Sequence, residues 1–295
     1  MRSRRMAQAV VGAAVLTLAV TGCGRSGGGA ATADAPAPAP AEDATAADLV
    51  PEDLQESGIL RVATAEGYPP MEMYAEGTQD LIGVDPDLAA AIAEKLGLEL
   101  EMTNASFPGL IPGLAADRWD LAMSSMSDTE ERRQVVDFVD YFHAGGAIMV
   151  AKGNPEGITS LEDLCGRNVV LAKGSSNLAI GEEQNEKCDE KMTISQSEDA
   201  PTGLLEISSG RSVATIVDYP VAVMFAEETG EYEVLDEQYA AGPWGIAVDK
   251  KDTELRDAVQ RALQELIDSG EYGEILEEWG VSGSAVDEAT INDQQ

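Results

Sequence analysis

The sequence is poor in the residues that most catalysis and metal binding need. It holds one histidine, His143, and three cysteines among 295 residues, with only 5% aromatics. His143 reads first as a packed or solvent-facing residue, which argues against a His-based catalytic triad, and no His/Cys cluster points to a metal, so no cofactor and no metal are expected. Basic residues are scarce too: 19 Lys and Arg stand against 54 Asp and Glu, a formal net charge of −35. Such a surface repels nucleic-acid phosphates and argues against a nucleic-acid partner. The acid excess reads first as a strongly hydrated outer face and second as an acidic cargo site. The apolar stretch 10–20 is too short to span a bilayer comfortably. What is present is 44% hydrophobic residues in a chain long enough for one large domain or two lobes with ample core.

The N-terminus reads as an export signal. Arg2, Arg4 and Arg5 precede the apolar stretch, and Val20-Thr-Gly-Cys23 resembles the lipobox of bacterial lipoproteins. That resemblance implies cleavage after residue 22, acylation of Cys23 and a lipid anchor to the membrane. Removing residues 1–22 takes the charge from −35 to −38, since three arginines and no acid leave. Residues 23–49, with Gly27-Gly-Gly29 and an Ala-Pro alternation over 35–40, read as a flexible linker. With Cys23 set apart, Cys165 and Cys188 remain. In an exported protein they read as a disulfide, the alternative being two buried thiols.

From about Val50 strands and helices alternate. Residues 59–64 form a strand and 98–102 another. Asp85 and Pro86 open a helix as N-cap and first residue, with Leu88, Ala91, Ile92 and Leu96 on its buried face. A helix over 108–116 follows Ser106. In 119–132, Leu121, Ala122 and Met123 read as a short buried strand. Ser127 or Asp128, each with a Glu three residues on, then marks a helix start. Arg132 falls in the first turn of that expected helix, where a cation is electrostatically out of place unless an anion docks there. A surface ion pair with Asp128, Glu130 or Glu131 is the other reading. Residues 147–151 make a strand closing the first α/β lobe. The pattern restarts with a strand over 168–172, a small-residue turn at 173–178 and a strand over 213–217 that ends at Asp218. Asp218 reads either as a site residue or as the cap of the helix that begins at Pro220. A strand over 244–248, an amphipathic helix over 255–267 and a shorter helix over 272–279 complete the body. The acidic tail, 282–295, is expected to be disordered. This alternation implies α/β lobes with mostly parallel sheets, whose ligands sit beyond the carboxyl ends of strands.

These motifs together resemble the family 3 extracellular solute-binding proteins, the amino-acid receptors of ABC importers. Carrying the resemblance in the first half are Gly58-Ile-Leu-Arg-Val-Ala-Thr64, Tyr68-Pro-Pro70, Gly83-Val-Asp-Pro-Asp-Leu88, Phe107-Pro-Gly-Leu-Ile-Pro-Gly-Leu114 and residues 120–132. In the second half they are Asp163-Leu-Cys-Gly166, Lys173-Gly-Ser-Ser176, Ser209-Gly-Arg211 and Asp218. The resemblance covers 54–281. It implies a two-lobed, type II periplasmic-binding-protein-like α/β fold with a two-strand hinge, lobe 1 being 50–145 with 240–281 and lobe 2 being 146–239. Arg132 is expected to clamp a ligand carboxylate with N–H groups at Ser127 and Ser176 and with Ser175 beside them. Asp218 is expected to take the ammonium, with the Ser125 carbonyl and Ser127 hydroxyl. Tyr68 and Phe107 would flank the ligand side chain, with Asn177 as a further polar contact. The implied partners are an amino-acid-like small molecule and an ABC permease with its ATPase, and a monomer is expected.

Several positions depart from the family pattern. Val213 replaces a common Asp, Met71 replaces a Phe after Pro-Pro, and Val139-Asp140-Tyr141 lacks the usual proline. Ala65 stands where receptors for basic amino acids carry an acid, with Glu66 as the neighbouring substitute. Alternatives on the same fold are a cyclohexadienyl dehydratase-like enzyme, for which Glu66 is the acid or base that can be named, and a ligand-sensing module. The expectation is a non-enzymatic receptor.

Overall fold

The structure, a computed structural model, describes residues 44–293. The expected signal and most of the expected linker, Cys23 included, lie outside these residues. The folded body begins earlier than the composition suggests. Thr45 and Asp48 form a capping box around a 3-10 turn, Ala46–Leu49. Ala46 is buried, and its N–H donates to Glu265 Oε1.

After helix α1 (Glu52–Ser57), strand β1 (Ile59–Thr64) runs into the loop that carries Tyr68, and a small hairpin, β2 (Met73–Tyr74) and β3 (Leu81–Ile82), follows. Helix α2 (Val84–Leu96) starts from Gly83, not Asp85. Gly83 has φ 131°, and a Cβ there would lie 2.3 Å from the Met71 carbonyl oxygen, so the chain enters the helix in a conformation only glycine tolerates. Asp85 is thereby carried inside the helix and fully buried. The first half continues with β4 (Glu99–Asn104), a 3-10 turn at Phe107–Gly109, α3 (Leu110–Ala115) and β5 (Leu121–Ala122).

The expected helix after β5 does not form. Only a 3-10 turn, Arg132–Gln134, precedes β6 (Val136–Ala151). Both expected caps are committed elsewhere: the Asp128 carboxylate pairs with Arg133 at 3.0 Å, and the Ser127 hydroxyl bonds that of Ser176. The segment is held by tertiary partners instead of helical ones.

The second half comprises β7 (Asn168–Ala172), α4 (Ser176–Lys187), β8 (Thr193–Ser197), α5 (Ala200–Ser208), β9 (Ala214–Asp218) and α6 (Tyr219–Thr229). Then come β10 (Tyr232–Asp249), α7 (Thr253–Ser269) and α8 (Glu271–Glu278). The strands expected at 147–151 and 244–248 prove to be the ends of β6 and β10, which pair antiparallel and connect the lobes. The ladder runs β4-β1-β5-β10-β6-β9-β7-β8. Within it β1 is parallel to β4 and β5 on one side, and β7 parallel to β8 and β9 on the other. Cys165 and Cys188 are disulfide-bonded, with Cα atoms 5.5 Å apart.

The acidic tail is ordered through residue 293, against expectation. A last strand, β11 (Thr290–Ile291), pairs with β6 at Asp140 and Val139. Ala289 is buried, Asn292 Oδ1 accepts the Phe138 N–H, and Asp140 Oδ2 accepts from Asp293 N–H and Thr290 Oγ1. Specific backbone pairing outweighs the tail's charge here. No helix among the described residues is long and apolar enough to cross a membrane.

Candidate functional site

The carboxyl ends of β1, β5, β7 and β9 converge on a cavity of about 710 Å³, part of it open to solvent. All nine residues singled out above line it: Tyr68, Phe107, Ser125, Ser127, Arg132, Ser175, Ser176, Asn177 and Asp218. Glu66 does not. Those of the first half sit in the turns after β1, β4 and β5, because each strand there delivers its chain directly into the cleft.

Asp218 is the last residue of β9 and pairs with Gly146 where β6 crosses between lobes. It stands at the N-cap position of α6 but makes no side-chain cap bond. Its carboxylate instead accepts from the Tyr68 hydroxyl at 2.6 Å and from Asn177 Nδ2 at 3.2 Å. Burial lifts its pKa above the ordinary aspartate value, opposed by those two hydrogen bonds and by the charge of Arg132. Burial likewise lowers the Arg132 pKa, while Asp218 is the largest influence in the other direction. The guanidinium donates to the Ser127 carbonyl at 2.7 Å and the Gly174 carbonyl at 3.0 Å, and lies over the Phe107 ring at 5.4 Å. It is therefore oriented by neutral carbonyls and an aromatic face, with no carboxylate among the described residues neutralising it by hydrogen bond. That departs from the surface ion-pair reading: Asp128 pairs with Arg133.

The serines divide into two roles. Ser175 is the N-cap of α4: its hydroxyl accepts the Leu178 N–H and donates to the Ala172 carbonyl. Its side chain is thus committed to the helix start. Ser127 and Ser176 face one another at 3.0 Å between hydroxyl oxygens. Asn177 is buried, and its Oδ1 has no hydrogen-bond partner among the described residues; a Cβ on Gly146 would lie 2.2 Å from that atom.

Beneath the site lies a pair of buried acids that pattern reading misses. Glu72 accepts from the hydroxyls of Ser124 and Ser125, at 2.9 and 3.1 Å. Asp85 accepts the Ser125 N–H at 2.8 Å and the Tyr141 hydroxyl at 2.6 Å. Burial first, then the neighbouring Asp85, pushes Glu72 well above the usual carboxylate range, and burial raises Asp85 to about 6. Two adjacent acids in a dry site cannot both ionise cheaply, so burial and mutual repulsion favour the neutral form of the pair over two charges. Together they fix Ser125, a non-glycine residue with φ 48°. With its hydroxyl and N–H both turned toward the acids, Ser125 has its carbonyl left for a ligand. Asp85 has the sequence signature of an ordinary cap, and Glu72 sits in a loop without periodicity, so neither announces itself.

The pattern of the whole chain matches the model of the bacterial extracellular solute-binding proteins, family 3, over residues 60–282. The chain belongs to that family. Among characterised relatives, an arginine-binding protein of Corynebacterium glutamicum is 32% identical over 254 residues, covering 83% of this chain and 82% of its own. A solved ancestral arginine-binding protein bound to arginine superposes with a TM-score of 0.72 at 36% identity, covering 76% of this chain and 98% of that one. An ancestral amino-acid-binding protein described as a precursor of cyclohexadienyl dehydratase gives 0.71 at 32% identity, with 77% and 97% covered. The fold is that of type II periplasmic amino-acid-binding proteins: α/β lobes joined by two crossing strands.

Proposed function

We propose that this protein captures an α-amino acid in the cleft and delivers it to an ABC permease and its ATPase. The observation that carries the reading is a cation and an anion, Arg132 and Asp218, presented to one cavity from opposite lobes. An amino-acid zwitterion loses hydration on both charges when enclosed, which is tolerable only if each finds a fixed counter-charge and hydrogen bonds. Arg132 takes the carboxylate, with the N–H groups of Ser127 and Ser176. Asp218, already oriented by Tyr68 and Asn177, takes the ammonium with the Ser125 carbonyl. Among the described residues β6 and β10 are the strands that run between the lobes, and a ligand bridging the lobes favours the closed arrangement. The names of the relatives put cationic amino acids first among ligands to try.

The protein acts outside the cytoplasm, as its family's description implies, tethered as a monomer by a lipid on Cys23. A dehydratase reading has less support: Glu66 is not a lining residue, and Glu72 is occupied by the hydroxyls of Ser124 and Ser125. Titration calorimetry with arginine and glutamine tests the proposal. Arg132→Ala and Asp218→Ala are each expected to weaken binding by about 3–5 kcal/mol, since the partner charge is left unpaired. Wild-type affinity in either variant would refute the assignment. Turnover of prephenate or arogenate would restore the enzyme reading.

A further inference from the structure

We infer that Glu198, on the second-half rim of the cleft, selects for a positively charged ligand side chain; this deepens the amino-acid reading and rests on it. Once Arg132 and Asp218 hold the two constant charges of the ligand, the remaining ionisable groups of the cavity wall fall into a short series. They are Glu72, Asp199, Glu198 and Lys173. Glu72 is occupied by the hydroxyls of Ser124 and Ser125. Asp199 is the N-cap of α5, its Oδ1 accepting the Thr202 N–H at 2.7 Å. Glu198 has no such tie. Among the described residues its carboxylate meets only Lys173, with Nζ and Oε1 4.0 Å apart, beyond hydrogen-bond length.

The backbone places this pair at the cavity. Strands β7 and β8 end in register, Ala172 opposite Ser197, and the Lys173 N–H donates to the Ser197 carbonyl. Lys173 and Glu198 are therefore the next residue on each of two neighbouring strands, both beyond the carboxyl ends. Glu198 also sits at the seam between lobes: a Cβ on Gly67 would lie 3.4 Å from Pro201, in the first turn of α5. In the first half Ala65 faces the same cavity, a side chain too small to supply a charge.

Charge decides between the two ends of the pair. A cationic side chain meets Glu198 with Asp199 next to it and has only Lys173 to oppose it. An anionic side chain meets Lys173 but faces both acids. Glu198 and Lys173 have side chains 76% and 54% exposed, so the contribution is that of a solvated pair strengthened by closure, a difference of about three- to tenfold in affinity.

The test is calorimetric Kd for arginine, glutamine and glutamate on wild type, Glu198→Gln and Arg132→Ala, at low and high salt. Glutamine shares the anchored zwitterion and lacks the cationic end, so the arginine-to-glutamine ratio isolates the side-chain reader from any change in folding. Wild type is expected to rank arginine above glutamine and glutamate. Glu198→Gln is expected to cut the arginine preference about three- to tenfold, leave glutamine unchanged and remove most of the salt dependence of the ratio. An unchanged ratio in Glu198→Gln, or a wild type that prefers glutamate, overturns the role of Glu198. Loss of all three ligands in Arg132→Ala supports the amino-acid reading independently, and retention of binding there sinks that reading and this one together.

Discussion

Replacing Asp85 by alanine separates the support of the site from the site itself. In the native protein Asp85 accepts two short hydrogen bonds, from the Ser125 N–H and the Tyr141 hydroxyl, in a fully buried position. Truncation leaves both donors without a partner, at about 1–3 kcal/mol each. Against this stands relief of a buried acid whose pKa is raised to about 6 from the ordinary 3.8, a shift worth about 3 kcal/mol when the group is ionised. The sign follows from linkage. The native state keeps the proton to higher pH than the unfolded chain, so the stability present in acid is lost as pH rises through about 6. Alanine removes that loss. Asp85→Ala is therefore expected to cost about 2–6 kcal/mol near pH 5 and about 1.5 kcal/mol less near pH 8, the first half of the linkage loss having already accrued below pH 5. Urea unfolding at the two pH values measures this. Ligand affinity is expected to fall at least about tenfold at both, because Ser125 at φ 48° loses one of its two fixings. An equal cost at both pH values, or wild-type affinity in the variant, would refute the view that these buried acids carry the Ser125 turn.

Asp140 supplies a second linkage effect: burial raises it to about 7, and its Oδ1 has no hydrogen-bond partner among the described residues. The melting temperature is accordingly expected to rise as pH is lowered from about 8 to about 6, with a flatter slope in Asp140→Asn; a calorimetric scan with identical slopes for both proteins contradicts this. Gly146→Ala is expected to weaken amino-acid binding about tenfold through Asn177. Its new Cβ would lie 2.2 Å from Asn177 Oδ1, forcing the amide off Asp218. If coupling through Asn177 is the cause, the double variant with Asn177→Ala binds no worse than the weaker single variant, and simple additivity rejects it.

Chemistry set by neighbours in sequence was legible. The strand ends and the Gly-Ser-Ser turn before α4 follow from local spacing; Arg132 and Asp218, left open by spacing alone, are singled out by the family resemblance, and all nine named residues surround one cavity. Chemistry set by distant partners was not. Ser127, Asp128 and Asp85 each carry an N-cap signature, yet their side chains bond Ser176, Arg133 and Tyr141 instead. A capping signature states what a side chain can do for its own helix and is silent about a competing partner from another element. The long crossing strands are hidden for a related reason. Only 147–151 and 244–248 read as strands, whereas β6 and β10 run on through Gly145-Gly146 and Gly242-Pro243 with register shifts while pairing with each other. Charge composition misjudges the tail because it weighs every acid alike, whereas Asn292 and the backbone of Asp293 have specific seats on β6.

On the proposed amino-acid reading, the arrangement of bonds separates a constant anchor from a variable reader. Every anchor group is locked by at least one further contact: Asp218 by Tyr68 and Asn177, Arg132 by two carbonyls, Ser125 by Glu72 and Asp85. A substitution at any of them disturbs a buried network, where costs are non-additive and large. Glu198, among the described residues, is tied to nothing but a loose lysine. Changing it moves a rim charge whose effect is limited by solvent, and leaves the anchor untouched. The proposal therefore predicts that single substitutions at the cavity-lining positions 65, 173 and 198 shift ligand preference without abolishing binding.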